Sequence, residues 1–349
     1  MIERIIVLGG KGGVGKSSIS AATAVMLSDS LPDKKILLIS FDIAHNLSDL
    51  FEIEIGDKLK QLTDNLWGIE PDPNIYARQY TEIFAKKMKK LLKKMPFVGL
   101  IPQINTFIDT TFTPESIPLA LKNAMFFQKL LDAEDTIYRD GTEEIDFDII
   151  VADFPPTGNM IALFDIPEDQ VKVVLKYSLN FYNSIKNSIQ GVSKMFSKMM
   201  HPFDAEANKE HLSDELVRML TELEERGERI SELIHEVGSL RLVTIAEKPS
   251  FEEIKRARDL TKKYINLDGV HINMLIPKEY AKTCEFCGQL HSLQQKYLHN
   301  IKGEFQSTKI WESNKLKEEP FGFEGLRKLA REIYEDSNSK DVLYPHKSN

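Results

Sequence analysis

The sequence predicts an α/β fold: a mostly parallel sheet flanked by helices, with an added α-helical subdomain. Three observations carry that reading. Short apolar runs alternate with helical patterns along the 349 residues, which is the arrangement of a parallel sheet covered on both faces. The first apolar run leads straight into a glycine-rich loop and then a helix. The polar motifs fall at the carboxyl ends of such runs, where open α/β sheets bind ligands.

The elements follow in order. IERIIVL (2–8) is short, apolar and β-branched, and reads as a buried strand. From Gly15 onward, GKSSISAATAVMLSDSL carries an Ala/Ile/Val/Met/Leu helical face. LPDKKILLISFD (31–42) holds a second strand after a Pro-Asp turn. EEIDFDIIVADFPPTG (143–158) holds a third, with DIIVAD as its buried run. SLRLVTIAE (239–247), DGVHINMLI (268–276) and STKIWE (307–312) supply three more. Helical patterns lie between them, including 251–264 and 322–334.

Composition narrows the function. The chain is 42% hydrophobic and 28% charged, with a formal net charge of −8. That balance disfavours a nucleic-acid partner, whose phosphates demand a basic face. No run approaches the length of a membrane-spanning helix. The N-terminus enters a strand at once and shows no signal peptide, so the cytosol is the expected compartment. The two cysteines, Cys284 and Cys287, form one CxxC, so a disulfide scaffold is not expected.

The glycine-rich loop is specific. Gly10 to Ser17 spell GKGGVGKS, a match to GxxxxGK[ST] between a strand and a helix. Gly10, Gly12, Gly13 and Gly15, with Val14, would let backbone N–H groups turn inward around a polyphosphate. The helix N-terminus, with Ser18 in its first turn, adds partial positive charge. Lys16 would reach the β- and γ-phosphates of ATP, and Ser17 would bind Mg²⁺. Asp42 follows the second strand, where a carboxylate either orients the attacking water or caps the helix beginning near Ala44. Asp153 ends the third strand, where it either helps hold Mg²⁺ or shapes the turn before Pro155-Pro156.

Lys11 is one lysine more than such a loop requires. The loop resembles the deviant Walker A form, KGGxGK[ST], of the P-loop NTPases that include ParA, MinD, the nitrogenase iron protein, the iron–sulfur carrier ATPases and the ArsA/Get-type ATPases. The resemblance implies a homodimer with facing nucleotides, in which Lys11 reaches the partner's phosphates. The physical logic is that of a cation delivered in trans to developing charge. DxAHNLSD after the second strand, DxxPTG after the third, INMLIP (272–277) and CEFC (284–287) are together more specific. Across almost the whole chain they are similar to the ArsA/Get-type ATPases, most of all to the Get/TRC factors that target tail-anchored proteins.

That resemblance implies further roles. Asp42 and His45 would belong to the first switch, with Asp42 positioning the water. Asp153, in the second switch, would sense the γ-phosphate and help hold Mg²⁺. Asn273 matches an asparagine that bonds the adenine edge; taken alone it is a polar residue ending a strand. Glu247 matches an acidic residue near the dimer-spanning lysine. The CxxC implies a Zn²⁺ shared across the dimer, because tetrahedral zinc wants four ligands and one chain offers two thiolates. A redox pair, an iron–sulfur site and two incidental cysteines stay open on the residues alone.

The chain as a whole, 1–349, reads as one ATPase domain with a helical subdomain inserted at about 76–134 and 170–236. In the second stretch Phe181, Ile185, Ile189, Val192, Phe196, Met199 and Phe203 recur at three- and four-residue steps. In the first, Phe84, Met88, Leu91, Leu92 and Met95 do the same. Such faces either pack on one another or form a groove for an apolar helix. The resemblance implies the groove, with a client's transmembrane helix in it and a membrane receptor as a further partner, and SKMFSKMMHPF (193–203) is the segment in which to look for an ordered-or-disordered lid.

Departures from the family pattern are visible. Ile43 replaces a proline, and Phe154, Pro155, Asn159 and Ala162 alter the second switch. They leave room for a different coupling to the client. Three alternatives remain: an iron–sulfur carrier, a MinD/ParA-type regulator and an arsenite-pump subunit.

Overall fold

The computed structural model describes residues 2–42, 46–72, 129–134, 139–140, 143–164, 228–335 and 337–345, with isolated positions at 75, 78, 82, 86 and 225. His45, Ile43 and almost all of the amphipathic segments named above lie outside the described residues. By its contacts the chain divides into two units. One comprises Met1–Asp72, Lys129–Phe164 and Ser231–Asn349, the other Pro73–Gln128 and Asp165–Ile230. The first unit holds the sheet.

Its strands are β1 (Arg4–Gly10), β2 (Ile36–Ser40), β3 (Lys60–Gln61), β4 (Leu66–Ile69), β5 (Arg139–Asp140), β6 (Glu143–Glu144), β7 (Ile149–Asp153), β8 (Gly238–Ile245), β9 (Leu267–Leu275) and β10 (Lys309–Asn314). Eight of them form one sheet in the order β10-β9-β8-β1-β7-β2-β4-β3, and β5 and β6 pair apart. Every neighbouring pair in the large sheet is parallel except β3 with β4. The central strands are buried along their length, as strands covered on both faces must be. All six strands expected from sequence are present, and the α/β class holds. Two more extend the sheet past β2. LWGI of β4 was not singled out because it has four residues and an internal glycine.

The helices of this unit are α1 (Lys16–Ser30), α2 (Asn46–Phe51), α3 (Lys129–Glu134), α4 (Thr157–Phe164), α5 (Lys248–Thr261), α6 (Lys278–Thr283), α7 (Glu285–Glu304), α8 (Gly322–Tyr334) and α9 (Ser339–Leu343). α1 is buried on most of its surface and is built from small residues there, with Ser20, Ala21, Ala22, Thr23 and Ala24 buried in succession. Small side chains let it lie between the sheet and α8. The facing stripe of α8 is Leu326, Leu329, Ala330, Ile333 and Tyr334, the spacing of one helical face. Burying each large aliphatic of that stripe stabilises the fold by roughly 1.5–3 kcal/mol. Tyr334 Oη and Thr23 Oγ1 share a hydrogen bond of 2.6 Å across the contact.

Beneath the β8–β10 edge sits a buried cationic cluster. Arg241 on β8 has no exposed side-chain surface and pairs with Asp268 at 3.4 Å. Its guanidinium also lies over Trp311, 5.1 Å from the ring centroid, and donates to the Val342 carbonyl of α9. His271 stacks on Trp311 at 4.7 Å. The C-terminal residues thus include a packed helix with Val342 fully buried. Asn338 caps that helix through a capping box with Asp341.

Candidate nucleotide site

The carboxyl ends of β1, β2 and β7 meet at one edge of the sheet, and the glycine loop closes over it. Gly15 stands at the N-cap of α1 with φ 90°. A side chain there would collide with the Asn273 amide, so both conformation and space require glycine. Gly10 is likewise held with φ 149° against the Val243 carbonyl. The loop borders a cleft of about 920 Å³ lined by Gly12, Gly13, Gly15, Lys16, Ser17, Ser18 and Asp42, and by Ser48, Asp49, Leu50, Glu52, Pro156, Met274 and Phe321. That is the size and shape class of a cofactor site.

Lys16 is 5% exposed, and its ammonium donates to the Lys11 carbonyl at 3.3 Å. The loop therefore folds around its own lysine, and a phosphate oxygen would compete for that ammonium. The Lys11 side chain is exposed. Asp153 is fully buried just under the cleft. Ser20 Oγ lies 3.4 Å from its Oδ1 and Ser40 Oγ 3.3 Å from its Oδ2. Ser40 also accepts the Asp42 N–H at 3.3 Å, tying the two carboxylate positions to one hydroxyl. Burial pushes the Asp153 carboxyl up to about 6, against the opposing effects of the Ser17 hydroxyl and the Lys16 ammonium. A buried carboxylate beside the Ser17 hydroxyl is a hard-oxygen donor set of the kind Mg²⁺ takes. These residues fit that ion, which would neutralise phosphate charge when bound.

Asn273, Glu247 and the two cysteines do not line the cleft. Asn273 is 5% exposed and sits behind the loop. Its amide donates to the Val14 carbonyl at 3.0 Å, while its oxygen accepts from Met274 N at 2.9 Å and Ser313 Oγ at 2.8 Å. The next residue, Met274, faces the cleft with a left-handed φ of 59°. Glu247 is the N-cap of α5 and is exposed. Cys284 and Cys287 are free thiols at the start of α7. Cys287 N donates to Cys284 Sγ at 3.4 Å, which lowers the Cys284 thiol below its ordinary range. Among the described residues no set of three or more potential metal ligands gathers, and the pair by itself offers two of the four ligands of a tetrahedral site.

Sequence reasoning missed several cleft residues. Met274 was legible as the neighbour of Asn273. Phe321, in the turn EPFG before α8, carried a weaker signal, an aromatic at a helix entrance. Ser40 and Ser20 act through Asp153, which only the fold reveals.

Comparison with known proteins decides the family. The family model described as anion-transporting ATPase matches residues 3–335. The chain belongs to the anion-transporting ATPase family. Among its relatives is an Aquifex aeolicus protein named arsenical pump-driving ATPase 2, 30% identical over 94% of this chain and 98% of its own length. An arsenical pump-driving ATPase of Chlorobaculum tepidum is 28% identical over 98% of this chain and 78% of its own. The ATPase get3 of Schizosaccharomyces pombe is 26% identical over 97% and 92%. The ArsA/Get-type resemblance and the ATP-hydrolysing class are thereby borne out. The glycine loop and the cleft it borders both fall within the residues matched by that family model.

Proposed function

We propose that this ATPase works as a homodimer that shields the transmembrane helix of tail-anchored proteins and delivers them to a membrane receptor. The observation that carries this reading over its rivals is the cysteine inventory. The chain has two cysteines, both in one CxxC at the start of α7. Arsenite capture wants several thiols, whereas a surface pair supplies half of a Zn²⁺ site that a second copy completes. Similarity to the get3 ATPases supports the same reading.

In this reading Lys16 and the loop amides hold the phosphates, and Ser17 and Asp153 hold Mg²⁺. Asp42 orients the attacking water, Lys11 serves the partner's site, and Glu247 lies near the partner's Lys11. Asn273 bonds the adenine edge. The helical subdomain expected at about 76–134 and 170–236 would bind the client. The departures Phe154, Pro155, Asn159 and Ala162 would then alter how hydrolysis drives release.

The test is co-expression with a tagged tail-anchored substrate, using a copy lacking the terminal helix as control. A complex that forms only with the helix supports the proposal. Absence of any complex, with hydrolysis intact, removes it. The second reading, an arsenical pump-driving subunit, is favoured by the names of relatives at 28–30% identity. It predicts that arsenite stimulates hydrolysis.

A further inference from the structure

Glu70 is the residue that follows β4, and it is 1% exposed. Its carboxylate does not face the cleft. It accepts instead from the backbone N–H of Leu47 at 2.8 Å and of Ser48 at 3.2 Å. Ser48 Oγ lies 2.9 Å away on the same carboxylate. Those two amides belong to the first turn of α2, whose N–H groups have no partner within the helix. A capping side chain normally comes from the residue just before a helix. Here a residue 22 positions from Ser48 supplies the acceptor, with a full carboxylate at the positive end of the helix.

The arrangement is braced from the other sides. Ser48 Oγ also lies 2.7 Å from the Ile55 carbonyl and accepts the Ile55 N–H at 3.0 Å. The Glu70 N–H donates to the Gly56 carbonyl at 2.9 Å. At the other end of α2, Phe51 meets Phe323 edge to face at 5.3 Å. The helix so fixed presents Ser48, Asp49, Leu50 and, just past its end, Glu52 to the cleft. Glu52 holds a left-handed φ of 54°, a conformation that persists only where the surroundings enforce it.

We propose that Glu70 is a positioning residue for ATP hydrolysis, holding α2 as the wall of the nucleotide cleft that follows Asp42. It does not itself line the cleft. Its effect is on the geometry in which hydrolysis occurs, where displacement of about 1 Å lowers a rate by up to about a hundredfold. Binding of ATP rests on the glycine loop, which Glu70 does not touch. The inference rests on the ATPase assignment of the family and not on the client.

The experiment measures kcat per nucleotide-binding site and KM for ATP in Glu70→Gln, Glu70→Ala and Ser48→Ala, with active sites counted by tight nucleotide titration. Glu70→Gln keeps the shape but sets an amide NH₂ against a backbone donor. The expected result is a fall in kcat of about tenfold or more with KM within about twofold. Ser48→Ala loses one of the three contacts and falls less. The double variant Glu70→Gln with Ser48→Ala is no worse than Glu70→Gln, since the two act as one unit. A purely structural role would instead reduce the number of titratable sites and leave kcat per site unchanged, and that outcome overturns the proposal. If Glu70→Ala does not fold, the near-isosteric Gln and the Ser48 variant decide. Wild-type protein that binds ATP without hydrolysing it would sink the ATPase assignment first, and is seen before any variant is compared.

Discussion

The rings of Phe41 and Phe154 meet edge to face at 5.2 Å and 76°. One residue precedes Asp42, and the other follows Asp153. Both rings are essentially unexposed, and Phe41 N donates to the Asp153 carbonyl at 2.7 Å. The Asp42 and Asp153 positions are therefore joined by an aromatic contact as well as by Ser40. The expected outcome of a double-mutant cycle with Phe41→Leu and Phe154→Leu is a coupling of about 1 kcal/mol in unfolding free energy. Single variants that add without coupling would show the contact to be incidental.

Asp153 governs a second prediction. Burial raises its carboxyl to about 6 in the folded chain, whereas in the unfolded chain it titrates near its ordinary value of about 4. The folded state thus binds its proton more tightly. Stability from this group is present below pH about 4 and is lost as pH rises to about 6. At neutral pH the buried charge is a liability held for function. Asp153→Asn should raise unfolding free energy at pH 7.5 by on the order of 2 kcal/mol in nucleotide-free protein, while abolishing Mg²⁺-dependent hydrolysis. Denaturant melts at pH 4.5 and 7.5 check it: the gain should shrink at the lower pH.

His271 carries the opposite slope. Its ring is buried between Trp311 and Tyr334, and neither ring nitrogen has a partner among the described residues. Burial, reinforced by the Arg241 charge, holds it well below the usual imidazole range. The unfolded chain protonates it near pH 6.5 and the folded chain does not, so stability falls as pH drops below 6.5. The loss grows as pH falls further below that value. His271→Phe keeps an aromatic ring against Trp311 and removes the titration. Its stability should fall less steeply between pH 7 and 5 than that of the wild type. An unchanged acid slope would place the acid sensitivity elsewhere.

What the sequence made legible, and what it did not, divides along physical lines. The glycine loop, β1, β2 and β7 announce themselves because buried parallel strands need unbroken apolar runs and phosphate loops need glycine at fixed spacing. β4 did not, since four residues with an internal glycine give little periodicity. Arg241 and His271 lie inside strands read as apolar, and their burial depends on Asp268 and Trp311, distant in sequence. Glu70 follows the same rule as Asp153, a carboxylate at a strand end, but its strand was not recognised, so the rule was never applied. Asn273 was legible as a residue, while its bond to the Val14 carbonyl was not.

The CxxC gives a metal prediction. Both sulfurs are free, and Phe286 between them is 67% exposed, so the pair stands at the surface where a second copy can reach it. Purified protein should hold about one zinc per two chains, and Cys284→Ser with Cys287→Ser should lose both metal and dimer. Elemental analysis with sedimentation reads both at once. A metal-free dimer that is unaffected by the double serine variant would rule the shared site out.

Lys11 and Lys16 separate by where they act. Lys16 is buried in the loop, so Lys16→Ala should weaken ATP binding itself. The Lys11 side chain is exposed, so Lys11→Ala should leave binding nearly intact while hydrolysis falls by about a hundredfold or more. Mixing distinguishes action in trans from action in cis. A dimer of one Lys11→Ala chain and one Asp42→Asn chain keeps one site in which an intact Asp42 faces an intact Lys11 from the partner. If Lys11 serves the partner's nucleotide, an equal mixture of the two inactive variants should recover about a quarter of wild-type hydrolysis, since half of the dimers are mixed and each has one working site. If Lys11 serves its own nucleotide, every site in the mixture lacks one of the two residues, and no activity returns.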